Sequence, residues 1–169
     1  MQNSTNFKVN RSSAGSGKTY TLSLNFIALS LIGSVKYSTE YYRKILAITF
    51  TNKAAAEMKE RVLEYLEVLS EGKNKDGVLD WLLKETELSE DQIVLYAEKV
   101  KSSILHNYAD LRISTIDKFT YNIVRTFSSD LGLAYNFELE MDNYKIIQPV
   151  VTTLLSKMSA KGGDLSEAL

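Results

Sequence analysis

The run Arg11-Ser12-Ser13-Ala14-Gly15-Ser16-Gly17-Lys18-Thr19 most constrains this chain, because its glycines and Lys-Thr pair stand between a strand-like and a helix-like segment. Phe7-Lys8-Val9-Asn10 alternates at period two and is predicted to be a short strand entering the loop. The run Leu22 to Ile32 behind it is apolar nearly all round, as expected of a helix buried on more than one side. Strand, glycine-rich loop and helix together make the context of a phosphate-gripping P-loop. Glycines let consecutive backbone N–H groups converge on a phosphate, and the helix points its positive dipole end at the same anion. Ser12, Ser13, Ala14, Gly15, Ser16, Gly17, Lys18 and Thr19 are therefore the candidate nucleotide-binding residues. Lys18 is expected to neutralise the terminal phosphates, and the Thr19 hydroxyl to be one ligand of Mg²⁺. Ser12 stands where the usual pattern opens with Gly. A glycine- and serine-rich turn with a merely solvated Lys18 is the plainer alternative.

Composition narrows the remaining classes. The 169 residues are 44% hydrophobic and 24% charged, a globular balance for one domain or part of a larger one. No apolar run reaches the ~18 residues a membrane span needs, and the first residues show no signal peptide. The chain has no cysteine and one histidine, which excludes disulfides, thiolate sites and His-rich metal sites and fits a cytoplasmic location. Net charge is −1, so no overall cationic footprint for duplex DNA exists; a local groove with aromatic stacking suffices for single strands.

Further along, Gly33 is expected to end the first helix as its C′ residue. Ile45 to Phe50 reads as a strand covered on both faces, which favours a parallel sheet. Thr51 or Asn52 is expected to cap a helix from Lys53 to about Leu69, with Met58, Val62, Tyr65, Leu66 and Leu69 as its apolar stripe. A charged break over 70–77 precedes a short helix, Val78 to Lys84, carrying Trp81 as a packing residue. Ser89-Glu90-Asp91-Gln92 has capping-box spacing ahead of a stripe of Ile93, Tyr96, Ala97, Val100 and Ile104. Leu111 to Ile116 is a further strand, with Asp117 expected to cap the next helix and Gly132 to stop it. Residues 136–141 are expected to be extended, and Asp142 to cap a last helix interrupted or kinked by Pro149. Gly162-Gly163 breaks that pattern. Alternating strands and helices give a parallel sheet whose ligands sit at the C-terminal strand ends, where the strongest motifs fall.

Those motifs carry a family resemblance. Ile45 through Arg61, containing Thr49-Phe50-Thr51-Asn52-Lys53-Ala54-Ala55-Ala56-Glu57-Met58, strongly resembles motif Ia of superfamily 1 DNA helicases of the UvrD/Rep type. Ile113-Ser114-Thr115-Ile116-Asp117-Lys118-Phe119 resembles the family's later Thr-x-His-x-Phe-like motif, with Asp117 where many relatives carry His. The opening Ser-Ser-Ala-Gly-Ser-Gly-Lys-Thr is similar to the RecB/AddA-like branch, where a first residue other than Gly is ordinary.

The resemblance implies an α/β, P-loop NTPase, RecA-like parallel sheet with helices on both faces, a helical insertion at 70–108, and a truncated chain. Residues 1–140 are expected to be part of the first motor domain, and 141–169 the start of a helical accessory domain. It further implies ATP and Mg²⁺ as cofactors, with Lys18 and Thr19 in catalytic roles. Phe50, Thr51, Asn52, Lys53, Thr115 and Phe119 are implied to contact DNA. Single-stranded and duplex DNA, and a nuclease or helicase partner subunit, are the implied partners in DNA recombination and repair. The Asp-Glu motif, the second motor domain's arginines and the nuclease motifs are missing from these residues, so nucleotide binding without turnover is expected. A P-loop small-molecule kinase and a non-catalytic nucleotide-binding interaction module are the alternatives; the kinase leaves Thr49 to Arg61 unaccounted for.

Overall fold

A computed structural model describes residues 17–133, Phe137 and 143–160. The expected strand Phe7-Asn10, loop residues Ser12 to Ser16, Asp142 and Gly162-Gly163 lie outside these residues, as does all of 136–141 except Phe137. Two compact units divide the chain, residues 1–120 and 121–169.

In the first unit, α1 (Lys18–Lys36) runs through Gly33 and ends at Tyr37. Gly33 is thus not the helix stop that its type predicts. A Cβ there would lie 1.9 Å from Cδ1 of Tyr41, so the residue is glycine because an aromatic ring rests on the helix backbone. Leu24, Phe26, Ile27, Ala28 and Leu31 of α1 are buried, whereas Leu22 and Leu29 are exposed, so the helix hides most of its circumference and not all. Its buried serines satisfy themselves by donating to the preceding turn: Ser30 Oγ to the Phe26 carbonyl (2.8 Å) and Ser34 Oγ to that of Ser30 (2.6 Å).

A 3₁₀ turn (Tyr41–Lys44) leads to β1 (Ala47–Thr49). Helix α2 (Asn52–Ser70) follows, then α3 (Val78–Glu85) and α4 (Glu90–His106). The expected stripe of α2 is buried in full, joined by Ala55. Ser89 caps α4 as the spacing predicts: the Gln92 N–H donates to Ser89 Oγ (3.3 Å) and the Ser89 N–H to Gln92 Oε1 (3.0 Å). Ile93, Ala97, Val100 and Ile104 of α4 are buried, with Tyr96 packed partly buried beside them. They share one hydrophobic cluster with α1 and α2, so the helices of the 70–108 block contribute directly to the core. Trp81 packs against that cluster, partly buried. Tyr42 is fully buried at its edge, its hydroxyl donating to the Ser103 carbonyl (3.1 Å).

Strand β2 (Ile113–Thr115) pairs parallel with β1, in the register Ala47 to Ile113, Ile48 to Ser114 and Thr49 to Thr115. The parallel pairing agrees with expectation, and among the described residues the sheet has two strands. Residues alternate across a strand, so Ala47, Ile113 and Thr115 are buried while Ile48 on the opposite face is 39% exposed. Leu46 is 42% exposed as well. The double-sided cover expected for this strand is absent among the described residues.

Helix α5 (Ile116–Thr126) starts directly after β2 and continues into the second unit. There it gives way to turns that close at Gly132, whose φ is +66°; the α-helix thus ends at Thr126, earlier than expected. Tyr121 and Phe137 pack with ring centroids 5.8 Å apart. Helix α6 (Asn143–Ala160) runs uninterrupted through Pro149, with Tyr144, Ile147, Val150, Val151, Leu154 and Leu155 exposed. No helix among the described residues is long and apolar enough to cross a membrane.

Candidate nucleotide and nucleic-acid sites

The start of α1 is open to an anion. Gly17, its N-cap, has φ +77° and ψ +23°, a left-handed conformation that a Cβ strains. Among the described residues no side chain caps the helix, and no acidic residue lies in its first turn. Its first-turn N–H groups and positive dipole end favour an anion. Lys18 is exposed at this end and Thr19 is half-buried beside it. Ser12, Ser13, Ala14, Gly15 and Ser16, the rest of the predicted loop, lie outside the described residues. The Tyr20 hydroxyl, one residue beyond Thr19, donates to the Asp76 carbonyl (3.1 Å), and the Tyr65 hydroxyl donates to Asp76 Oδ2 (3.0 Å). The α2–α3 connection is thereby tied to the first turn of α1.

A second group of residues gathers where the two parallel strands end. After β1, Thr51 is the N-cap of α2, its Oγ1 accepting from the Ala54 N–H (3.1 Å). After β2, Thr115 plays the same part for α5, its Oγ1 accepting from the Lys118 N–H (3.3 Å). The sequence pattern predicts Asp117 as the second cap; that residue instead lies inside the first turn. A carboxylate there still complements the helix dipole. The cap falls to Thr115 because α5 begins at Ile116, immediately after the strand. Two helices thus begin beside adjacent strand ends, each capped by a threonine, bringing two positive dipole ends to one edge.

Phe50 stands at that edge with 88% of its surface exposed, far beyond what a core residue shows. Thr51, Asn52 and Lys53 are exposed beside it. Lys53 Nζ lies 3.9 Å from Glu57, a loose pair one helical turn away. Phe119 is half-buried and Thr115 only 5% exposed, so Thr115 serves its surroundings chiefly through the cap.

Three residues that sequence reasoning did not single out line a pocket of about 300 Å³ at this edge: Lys59, Tyr108 and Lys118. Asn52, Ser114 and Thr115 also line it. Lys59 Nζ sits 5.4 Å from the centroid of the Tyr108 ring. Helical spacing held a signal for Lys59, because Asn52, Ala55, Ala56 and Lys59 recur at intervals of three and four. Nothing local in the sequence brings Tyr108 to them.

Comparison with known proteins agrees with these motifs. Residues 4–166 match the UvrD/REP helicase N-terminal domain. Over 144 residues the chain is 30% identical to the RecBCD enzyme subunit RecB of Borreliella burgdorferi, covering 85% of this chain and 11% of that protein. It is 29% identical over 143 residues to an ATP-dependent helicase/nuclease subunit of Listeria monocytogenes, covering 84% of this chain and 9% of that one. A 49-residue stretch, 29% of this chain and 6% of the relative, is 57% identical to the ATP-dependent DNA helicase UvrD1 of Mycobacterium leprae. The chain therefore spans about a tenth of the length of its first two relatives. No solved structure gives a significant match.

Proposed function

The chain belongs to the UvrD/REP helicase N-terminal domain family, and from that membership we propose that it is part of the first RecA-like motor domain of an ATP-dependent DNA helicase or helicase–nuclease. In the whole protein, ATP hydrolysis is coupled to translocation along single-stranded DNA during recombination and repair. Residues 1–140 supply the motor fold, and residues 141–169 begin a helical accessory domain.

The nucleotide half of the proposal rests on Ser12 to Thr19. The α1 start without a side-chain cap among the described residues, the left-handed Gly17 and the exposed Lys18 suit a polyphosphate. Lys18 would hold the terminal phosphates and Thr19 would contribute a hydroxyl to Mg²⁺, with Ser12 to Gly17 as the remaining phosphate-binding residues. ATP supplies the free energy that biases the domain between its states. No second-domain arginine and no Asp-Glu motif is present within these residues, so the chain by itself binds ATP without turning it over.

The strand-gripping half is carried by one observation: the 88% exposure of Phe50 at the rim where two capped helix starts converge. An exposed aromatic beside phosphate-seeking helix ends suits single-stranded nucleic acid, whose bases stack and whose backbone is anionic. Phe50 offers the stacking face, Thr51, Asn52 and Lys53 the polar contacts, and Thr115 and Phe119 the adjoining wall. The test is fluorescence anisotropy with a labelled thymidine oligonucleotide. Removing a stacking aromatic costs ~1–3 kcal/mol, so Phe50→Ala should weaken binding by about five- to 150-fold. Unchanged affinity in a folded Phe50→Ala chain would contradict this role.

A further inference from the structure

We propose that the pocket between α2 and the β2–α5 junction is a phosphate site, in which Lys59 and Lys118 clamp one backbone phosphate of the bound strand. This site deepens the strand-gripping function above and rests on it for the identity of the occupant. It adds two residues that the helicase-like motif positions Phe50–Lys53, Thr115 and Phe119 do not include.

Both lysines line a single pocket, Lys59 from the third turn of α2 and Lys118 from the first turn of α5. Two like charges held in one concavity repel unless an anion joins them. Burial, and then the charge of Lys118, pull the Lys59 ammonium below its ordinary pKa, so the two cations act on each other. Among the described residues no carboxylate pairs with either lysine, whereas Lys53, Lys73, Lys75 and Lys101 each have at least one acidic partner. Glu60 is the one acid lining the pocket, and it forms no ion pair with Lys59 or Lys118 among those residues.

The remaining lining is that of an anion site. Asn52 brings an amide from the first position of α2, and Ser114 adds a hydroxyl from β2. Lys118 belongs to the turn whose N–H groups Thr115 organises. Both helix starts therefore add their positive ends to the two ammonium groups. Tyr108 holds Lys59 over its ring face, which orients a long side chain that would otherwise be free. At about 300 Å³ the pocket has room for a hydrated phosphodiester. It lies at the strand-end edge that carries Phe50, so a strand stacked there can drop a neighbouring phosphate into it.

Two measurements on the 169-residue chain test the site. The first titrates inorganic phosphate and follows backbone amide shifts by NMR. Saturable shifts at Asn52, Lys59 and Lys118 are expected, and their loss in the Lys59→Gln/Lys118→Gln double variant. Absence of such shifts, or their persistence in the double variant, overturns the site.

The second measures oligonucleotide affinity against salt concentration. The double variant should weaken binding to all base sequences alike and lower the slope of log K against log salt by about 0.7, the value for one single-strand phosphate. Glu60→Gln should tighten binding. If Phe50→Ala loses affinity while the double variant keeps wild-type affinity and slope, the pocket assignment fails and the proposed function stands. If phosphate shifts appear but no oligonucleotide binds, the proposed function fails, and the pocket is a site for free phosphate with the strand excluded as occupant.

Discussion

Gly33→Ala places two well-measured effects in opposition, and the structure decides between them. In an exposed helix interior the substitution gains ~1 kcal/mol from propensity. Here the new methyl carbon would lie 1.9 Å from Cδ1 and 2.2 Å from Cγ of Tyr41, where ordinary contact begins at 3.4 Å. The ring must retreat by about 1.5 Å. Its backbone cannot follow, because the next residue, Tyr42, is fully buried and its hydroxyl is bonded to the Ser103 carbonyl. The ring must instead swing away, giving up its stack on Tyr37, whose centroid is 5.4 Å distant. Overpacking of this kind costs ~1–3 kcal/mol, so against the propensity gain the net expectation is a loss of up to about 2 kcal/mol. In a Tyr41→Ala background the obstacle is gone and the same change should stabilise by about 1 kcal/mol. The double-mutant cycle thus predicts a coupling of about 1–3 kcal/mol with a reversal of sign. Urea denaturation of the four chains measures it, and thermal unfolding should show a drop of up to roughly 8 °C for Gly33→Ala alone. A stabilising Gly33→Ala in the wild-type background would refute the packing explanation.

The Tyr65 hydroxyl, buried and bonded to Asp76, has its pKa pushed up to about 12. A raised pKa favours the neutral form in the folded chain, so this stabilisation is complete below pH 10 and is lost as pH rises towards 12. Stability should therefore fall more steeply with rising pH for the wild type than for Tyr65→Phe across that interval, and parallel curves would contradict it. Lys101 Nζ reaches Glu67 (2.8 Å) on α2 and Glu98 (2.7 Å) on α4, with its side chain only 14% exposed. Lys101→Met should cost about 1 kcal/mol at low salt and less at high salt, because it leaves two carboxylates without their shared cation. A loss independent of salt would show that packing of the stem, and not charge, joins the helices.

What could be read from the sequence was what local chemistry decides. The capping box at Ser89 and Gln92 and the buried stripe of α2 follow from spacings of three and four along one helix, and both appear as expected. The parallel pairing of the two strands followed from their apolar composition. Gly33 was misread because its reason is an aromatic ring contributed from beyond the end of the helix. Asp117 lost the cap to Thr115 because the register of helix after strand differs by two residues, which composition does not resolve. Leu46 and Ile48 looked like doubly covered strand residues, yet apolar type states what a residue prefers and not what lies against it. The motif marks Phe50 as a candidate contact residue, and the exposure of its ring is what the structure adds. The Lys59–Lys118 pocket was not legible, since it needs α2, the residues after α4 and the start of α5 to converge.

The central claim is that the chain's first helix begins at a nucleotide phosphate grip, and calorimetric titration with Mg²⁺-ATP tests it most directly. The 169-residue chain should bind Mg²⁺-ATP saturably and show no DNA-stimulated hydrolysis. Lys18→Ala should abolish that binding without altering the circular dichroism, because Lys18 is exposed and supports no packing. Equal binding by the wild type and Lys18→Ala would contradict the phosphate grip at its root.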